Sequence, residues 1–150
     1  MSYEPADRDS AVLLAVQASR ALAAAGQTDM VWGHASIRDP GGLGAWMKSA
    51  GWGLEEIDAG KIVLVGPDGA VLDSGVAEGG GPRHIEYPIH TELMAARPDI
   101  GGVVHTHPVH AIAFGTLGRP LRALSHEGAL LTPPDVPRFT RTGDVVNTAA

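Results

Sequence analysis

Apolar residues recur at helical spacing over residues 10–26, "SAVLLAVQASRALAAAG", with Val12, Leu13, Val16 and Leu22 on one face. The spacing predicts a helix, with Asp9 or Ser10 as its N-terminal cap and Gly26 as its stop. The pattern then changes. "MVWGHASIRDPGG" reads as a strand running into a turn, and "AWMKSAGWG" as a second short strand. "LEEIDAG" suits about one helical turn. "KIVLVGPDGAVLD" sets two apolar runs around Pro-Asp-Gly, which predicts a β-hairpin and makes part of the sheet antiparallel. Residues 77–84 form a glycine-rich connection that lacks the Lys-Ser/Thr of a phosphate loop; its glycines suit a chain passing close to a site. A helix is expected over residues 86–99, with Pro88 in its first turn and Pro98 at its end. A short buried strand follows in "IGGVVHTHP", then a helix over 109–118. "LRALSHEGALL" reads as extended again, and "GDVVNTAA" as the start of a helix.

Composition narrows the class. A chain of 150 residues, 44% hydrophobic and 19% charged, suits one globular domain, 1–150. A net charge of -6 with no basic run argues against a nucleic-acid surface. Cysteine is absent, which excludes disulfides and thiolate chemistry and suits a reducing compartment. No apolar run approaches the ~20 residues of a membrane helix, and the N-terminus is unlike a signal peptide. The expectation is a soluble, cytoplasmic protein.

Histidine carries the candidate chemistry. Three of the seven fall in "VVHTHPVH", residues 103–110, and two more in "HIEYPIH", residues 84–90. On a strand, His105 and His107 would share a face and could hold one cation. The spacing alone more often means one buried, hydrogen-bonded imidazole and one exposed. Glu86 and His90, four apart on a helix, would share a face. Glu86 could serve as ligand or acid/base, or simply answer the helix dipole, and His90 reads first as a core-facing histidine. His110 reads as a partly exposed neighbour. His34, His126, His84 and Arg83 could meet an anionic group or sit in solvated loops. No serine lies in a Gly-x-Ser-x-Gly elbow and no glycosidase-like acid pair stands out.

The order "GHASIRDP", "MKSAGWGLEEI", "IVLV" before "PDGAVLDSG", then Glu86-x3-His90 and "RPDIGGVVHTHPVHAIAF" resembles the class II aldolase/adducin head family. The resemblance implies a three-layer α/β/α sandwich around a largely antiparallel sheet. It also implies a divalent ion, zinc first and manganese, cobalt or magnesium as alternatives, with His105 and His107 as metal ligands. Glu86 is the implied catalytic acid/base, and a homo-oligomer, a tetramer in the family, the implied assembly. Gly33-His34 and His84-Ile85 stand where sugar-phosphate aldolases carry phosphate-binding residues. "GHASIRDP", "WMKSAG" and "SHEGAL" are instead similar to the decarboxylase-like branch, with His34, Ser49, His84 and His126 as substrate contacts. The implied activity is a metal-dependent C–C lyase, aldol cleavage or decarboxylation of a small hydroxy, oxo or hydroxylated aromatic carboxylate through a stabilised enolate. The family's third metal histidine has no match before Ala150, so the chain is expected to be truncated relative to the family and its fold incomplete at the C-terminus. An adducin-like binding module or inactive remnant is the alternative. A hydrolase built on His-x-His has little further acidic support.

Overall fold

The computed structural model describes residues 5–74, 81–132, 134, 136–138, 140 and 145–147. The chain divides into two compact units, Met1–His107 with Val145–Ala150, and Pro108–Asp144.

The first unit opens with α1, Arg8–Ala24. Its cap is Asp7, not Asp9 or Ser10. The Asp7 carboxylate accepts the Ser10 N–H, and Ser10 Oγ accepts the Asp7 N–H. This reciprocal pair satisfies two end donors, so the helix starts before the apolar pattern does. It closes as expected at Gly26, whose φ of 69° suits a residue without Cβ. Small residues, Ala11, Ala15 and Ser19, line its buried face and let it lie close to the sheet.

Five strands follow in the order β4-β3-β2-β1-β5. They are β1, His34–Arg38; β2, Ala45–Lys48; β3, Ile62–Val65; β4, Val71–Asp73; and β5, Gly102–His105. All four pairings are antiparallel. Two single 3₁₀ turns, Leu54–Glu56 and Ala59–Lys61, lie between β2 and β3. Alternation along the strands makes two apolar faces. Ile37, Trp46, Ile62 and Leu64 pack with Ala11, Val12 and Ala15 of α1. On the other face Ala45 and Val103 pack with Met94 of α2, Pro88–Ala96, while Met47, Val63 and Val65 pack with Tyr87. The result is a helix, an antiparallel sheet and a helix in three layers.

Two boundaries differ from expectation and matter for the site. The α2 helix begins at Pro88 rather than residue 86, because proline lacks an N–H and fits the first helical position. Glu86 therefore lies in the preceding turn and does not share a helical face with His90. Likewise β5 ends at His105, so His107 lies past the strand, and β5 is a half-exposed edge rather than a buried strand. Of the glycine-rich connection, residues 77–80 lie outside the described residues.

In the second unit, α3, Val109–Thr116, is followed by Gly118 at φ 61°, close to expectation. The expected extended segment contains a helix instead, α4, His126–Leu131. Ser125 accepts the Gly128 N–H through its side chain and caps it. Of "GDVVNTAA", residues 145–147 carry no regular structure and the others lie outside the described residues.

Candidate functional site

Register brings the first two histidines together. His34 opens β1 and pairs directly with His105 at the end of β5, and their rings stack with centroids 4.8 Å apart. Gly33, at φ 79°, lets β1 start against the His105 carbonyl, where a Cβ would come within 3.4 Å. Two residues on, His107 turns back so that its Nε2 lies 2.9 Å from His105 Nε2. Its other nitrogen, Nδ1, lies 3.2 Å from the Asp29 carboxylate. A carboxylate only accepts, so Nδ1 carries the proton and Nε2 the lone pair.

The α2 side supplies the rest. The β3–β4 hairpin turns at Gly69, whose carbonyl accepts from Arg83 Nε at 2.6 Å, and the Arg83 guanidinium covers the Tyr87 ring. This clamp fixes the segment between, which holds His84 and Glu86. Glu86 Oε2 stands 3.3 Å from His34 Nε2 and 3.7 Å from His105 Nε2. The Glu86 N–H donates to His84 Nδ1 at 3.3 Å, which leaves the proton of a neutral His84 on Nε2. His90, fully buried on α2, joins His34 Nδ1 at 2.5 Å and Ser36 Oγ at 2.6 Å. Its reading as a core-facing histidine agrees with this burial.

Burial sets the charge state. It pushes His84 down to about 4 and His90 to about 3, with neighbouring positive charge adding to the effect, and holds His34 well below the imidazole range. His105 is also lowered by burial, with Glu86 opposing and His107 adding. Lys48, buried and bonded to the carbonyls of Val31 and Trp52, is pushed down to about 8 by burial, with Glu55 and Glu56 opposing. Neutral imidazole is the form that binds a cation. By distance, His34, His84 and Glu86 offer three ligand atoms within 4.8 Å of one another.

Ser49 lies just past β2, bridged through the backbone to Arg83, the residue before His84. Its buried Oγ is the one such side-chain atom without a partner among the described residues. Gly81 passes it so closely that a Cβ would lie 3.2 Å from that oxygen, which accounts for one glycine of the connection. Arg83 is engaged by Gly69 and Tyr87. His126 lies in the second unit, exposed at the start of α4. Two residues of the site had no place in the sequence reading, Asp29 and Ser36. Ser36 was findable, since it shares a strand face with His34 two residues earlier. Asp29 meets His107 only through the fold, and no local pattern marks it.

The family model described as "Class II Aldolase and Adducin N-terminal domain" matches residues 14–148. A 3,4-dihydroxyphthalate decarboxylase of Arthrobacter keyseri is 37% identical over 131 residues, 83% of this chain and 52% of that protein. A 5-methylthioribulose-1-phosphate/5-deoxyribulose-1-phosphate aldolase of Rhodospirillum rubrum is 28% identical over 123 residues, 81% of this chain and 51% of that protein. The crystal structure of an aldolase II superfamily protein from Pseudomonas syringae superposes with a TM-score of 0.72 at 30% identity, over 86% of this chain and 51% of that one. The chain belongs to the class II aldolase and adducin N-terminal domain family. Within it the chain sits on the decarboxylase-like branch. It spans about half the length of the curated relatives it matches.

Proposed function

We propose that this chain is the site-bearing part of a divalent-metal-dependent C–C lyase that decarboxylates a small hydroxylated aromatic carboxylate. The observation that carries the reading is the pair of neighbours at His105 Nε2, His107 Nε2 at 2.9 Å and Glu86 Oε2 at 3.7 Å, with Asp29 holding His107 from behind. Each of the two pairs that share His105 has a spacing an ion can bridge. Two ligand atoms on one tetrahedral ion of the zinc type stand roughly 3.4 Å apart, given bonds of about 2.0–2.2 Å. The 2.9 Å between the two Nε2 atoms and the 3.7 Å from His105 to Glu86 bracket that separation. His107 presents a lone pair, and burial favours the neutral form of His105. Imidazole with carboxylate suits zinc, and also manganese or cobalt.

His105 and His107 would hold the ion, with Glu86 at its edge. The chemistry a bound ion supplies is Lewis-acid stabilisation of the negative charge left when the C–C bond breaks. Glu86, in its protonated form, delivers a proton to the carbon that loses carbon dioxide and regains one from water. His84 leaves its Nε2–H free of the Glu86 N–H contact, and Ser49 adds a buried unpartnered hydroxyl. Together they suit the substrate's carboxylate or hydroxyl oxygens, the role proposed also for His34. The homo-oligomer and the cytoplasmic setting belong to the same proposal. Support for decarboxylation over aldol cleavage comes from the higher identity to the decarboxylase, 37% against 28%, and from His34 and His84 standing where sugar-phosphate aldolases carry phosphate-binding residues.

The test is carbon dioxide release from 3,4-dihydroxyphthalate with added zinc or manganese. The expected result is ion-dependent release that falls by about 100-fold or more in Glu86→Gln, as loss of a general acid would produce. No release with either ion, or cleavage of a ribulose-type phosphate instead, contradicts the decarboxylase assignment.

A further inference from the structure

Behind Glu86 runs a buried hydrogen-bond chain that no step above uses. Ser36 Oγ lies 2.6 Å from His90 Nδ1, His90 Nε2 lies 2.5 Å from His34 Nδ1, and His34 Nε2 lies 3.3 Å from Glu86 Oε2. Ser36, His34 and His90 are each at most 1% exposed, so water does not complete these bonds. The fold assembles the chain from three places. Strand β1 places His34 and Ser36 on one face, α2 drops His90 between them, and the turn before α2 presents Glu86.

Tautomer logic gives the chain a direction. A neutral imidazole has one N–H and one lone pair. Burial holds both rings neutral, with His90 pushed to about 3. A carboxylate only accepts, so with Glu86 ionised its link to His34 requires the proton on His34 Nε2. His34 Nδ1 must then accept from His90 Nε2–H, and His90 Nδ1 must accept from the Ser36 hydroxyl. The reverse order points a lone pair of His34 at the carboxylate and holds only with a proton or cation between them.

We propose that Ser36, His90 and His34 form a one-way hydrogen-bond chain that hands Glu86 a fixed N–H, so that His90 and Ser36 are positioning residues for the acid/base carboxylate. The inference rests on Glu86 having the role proposed above. It moves His34 from substrate contact to support, since both its ring nitrogens are engaged inside the protein. It also removes His34 as a metal ligand, although the distances among His34, His84 and Glu86 would admit an ion. The chain commits Oε2 to the protein and fixes the plane of the carboxylate that must reach the substrate.

The test is long-range proton–nitrogen correlation NMR on the full chain with isotope-labelled histidine, at neutral pH, before and after zinc is added. The expected spectrum shows His34 and His90 each as a single tautomer, protonated at Nε2 and bare at Nδ1, unchanged by zinc. In Glu86→Ala both histidines lose that single-tautomer pattern together, although Glu86 bonds only His34. Ser36→Ala, which removes one oxygen, keeps both tautomers and shifts His90 Nδ1 toward a lone pair without a donor. A proton on Nδ1 of either residue overturns the proposal. So does a zinc-driven flip of His34, a His90 signal indifferent to Glu86→Ala, or a His90 Nδ1 unmoved in Ser36→Ala. A packing role alone would not couple His90 to Glu86. The tautomers are read without substrate and first without zinc. Fixed tautomers in a chain that binds no ion would therefore leave this inference standing and sink the metal reading. Zinc binding with a proton on Nδ1 would do the reverse.

Discussion

His107 shows how one side chain is prepared for its role by another. The Asp29 carboxylate holds Nδ1–H and so turns Nε2 toward His105 as a lone pair. Asp29 is itself held in a tight turn, where its carbonyl accepts the Trp32 N–H and Met30 takes the left-handed φ of 48°. Lys48 ties that turn from inside by donating to the Val31 carbonyl. Partners behind a metal-binding histidine commonly contribute 10–100-fold in affinity. Asp29→Ala is therefore expected to weaken zinc binding by roughly 10–100-fold, measured by competition with a chelating dye. Unchanged affinity would show that Asp29 does not set the His107 tautomer. At this scale the sequence carried much of the set. His34, His84, Glu86, His105 and His107 were marked by spacing and resemblance, and the structure brings all five together. Asp29 was not legible because it lies 78 residues from its partner. The spacing argument for Glu86 with His90 gave the wrong geometry, since both meet His34 from different elements.

Elements place these side chains through turns more than through regular structure. The strands and the hairpin were legible because apolar alternation and Pro-Asp-Gly are local signals. Helix starts were less so, since each depends on a single end group: Asp7 for α1, Pro88 for α2, Ser125 for α4. The α4 segment shows the limit, because a short apolar run reads as strand until its cap is seen to close a helix. Gly69 makes the sharpest demand. At φ 80° an L side chain is strained, and an added Cβ would lie 2.6 Å from the Tyr87 ring. The left-handed conformation alone costs a non-glycine residue about 1–3 kcal/mol. Gly69→Ala is expected to destabilise the fold by at least that much, about 1–3 kcal/mol by urea denaturation. It should also disturb Tyr87 and with it Glu86. Wild-type stability in this variant would mean that the hairpin does not brace the Glu86 turn.

Across the whole molecule, the order of motifs carried the family and the three-layer arrangement, because a sandwich needs one apolar face per helix and two per sheet. The α1 face and the α2 face differ in kind. The first is an apolar core of Trp46, Ile37 and Leu64. The second mixes apolar packing at one end of the sheet with histidines, Ser36 and Glu86 at the other. Buried polar groups of this kind cost stability unless each is paired, and here the imidazoles pair mainly with one another and with Glu86. A site so arranged suits a divalent ion held at the open end of β5. The direct measurement is zinc binding by calorimetry on the full chain and on His105→Ala. The account predicts one ion per chain in the wild type and loss of that binding in the variant. Equal binding by both, or none by either, would contradict it.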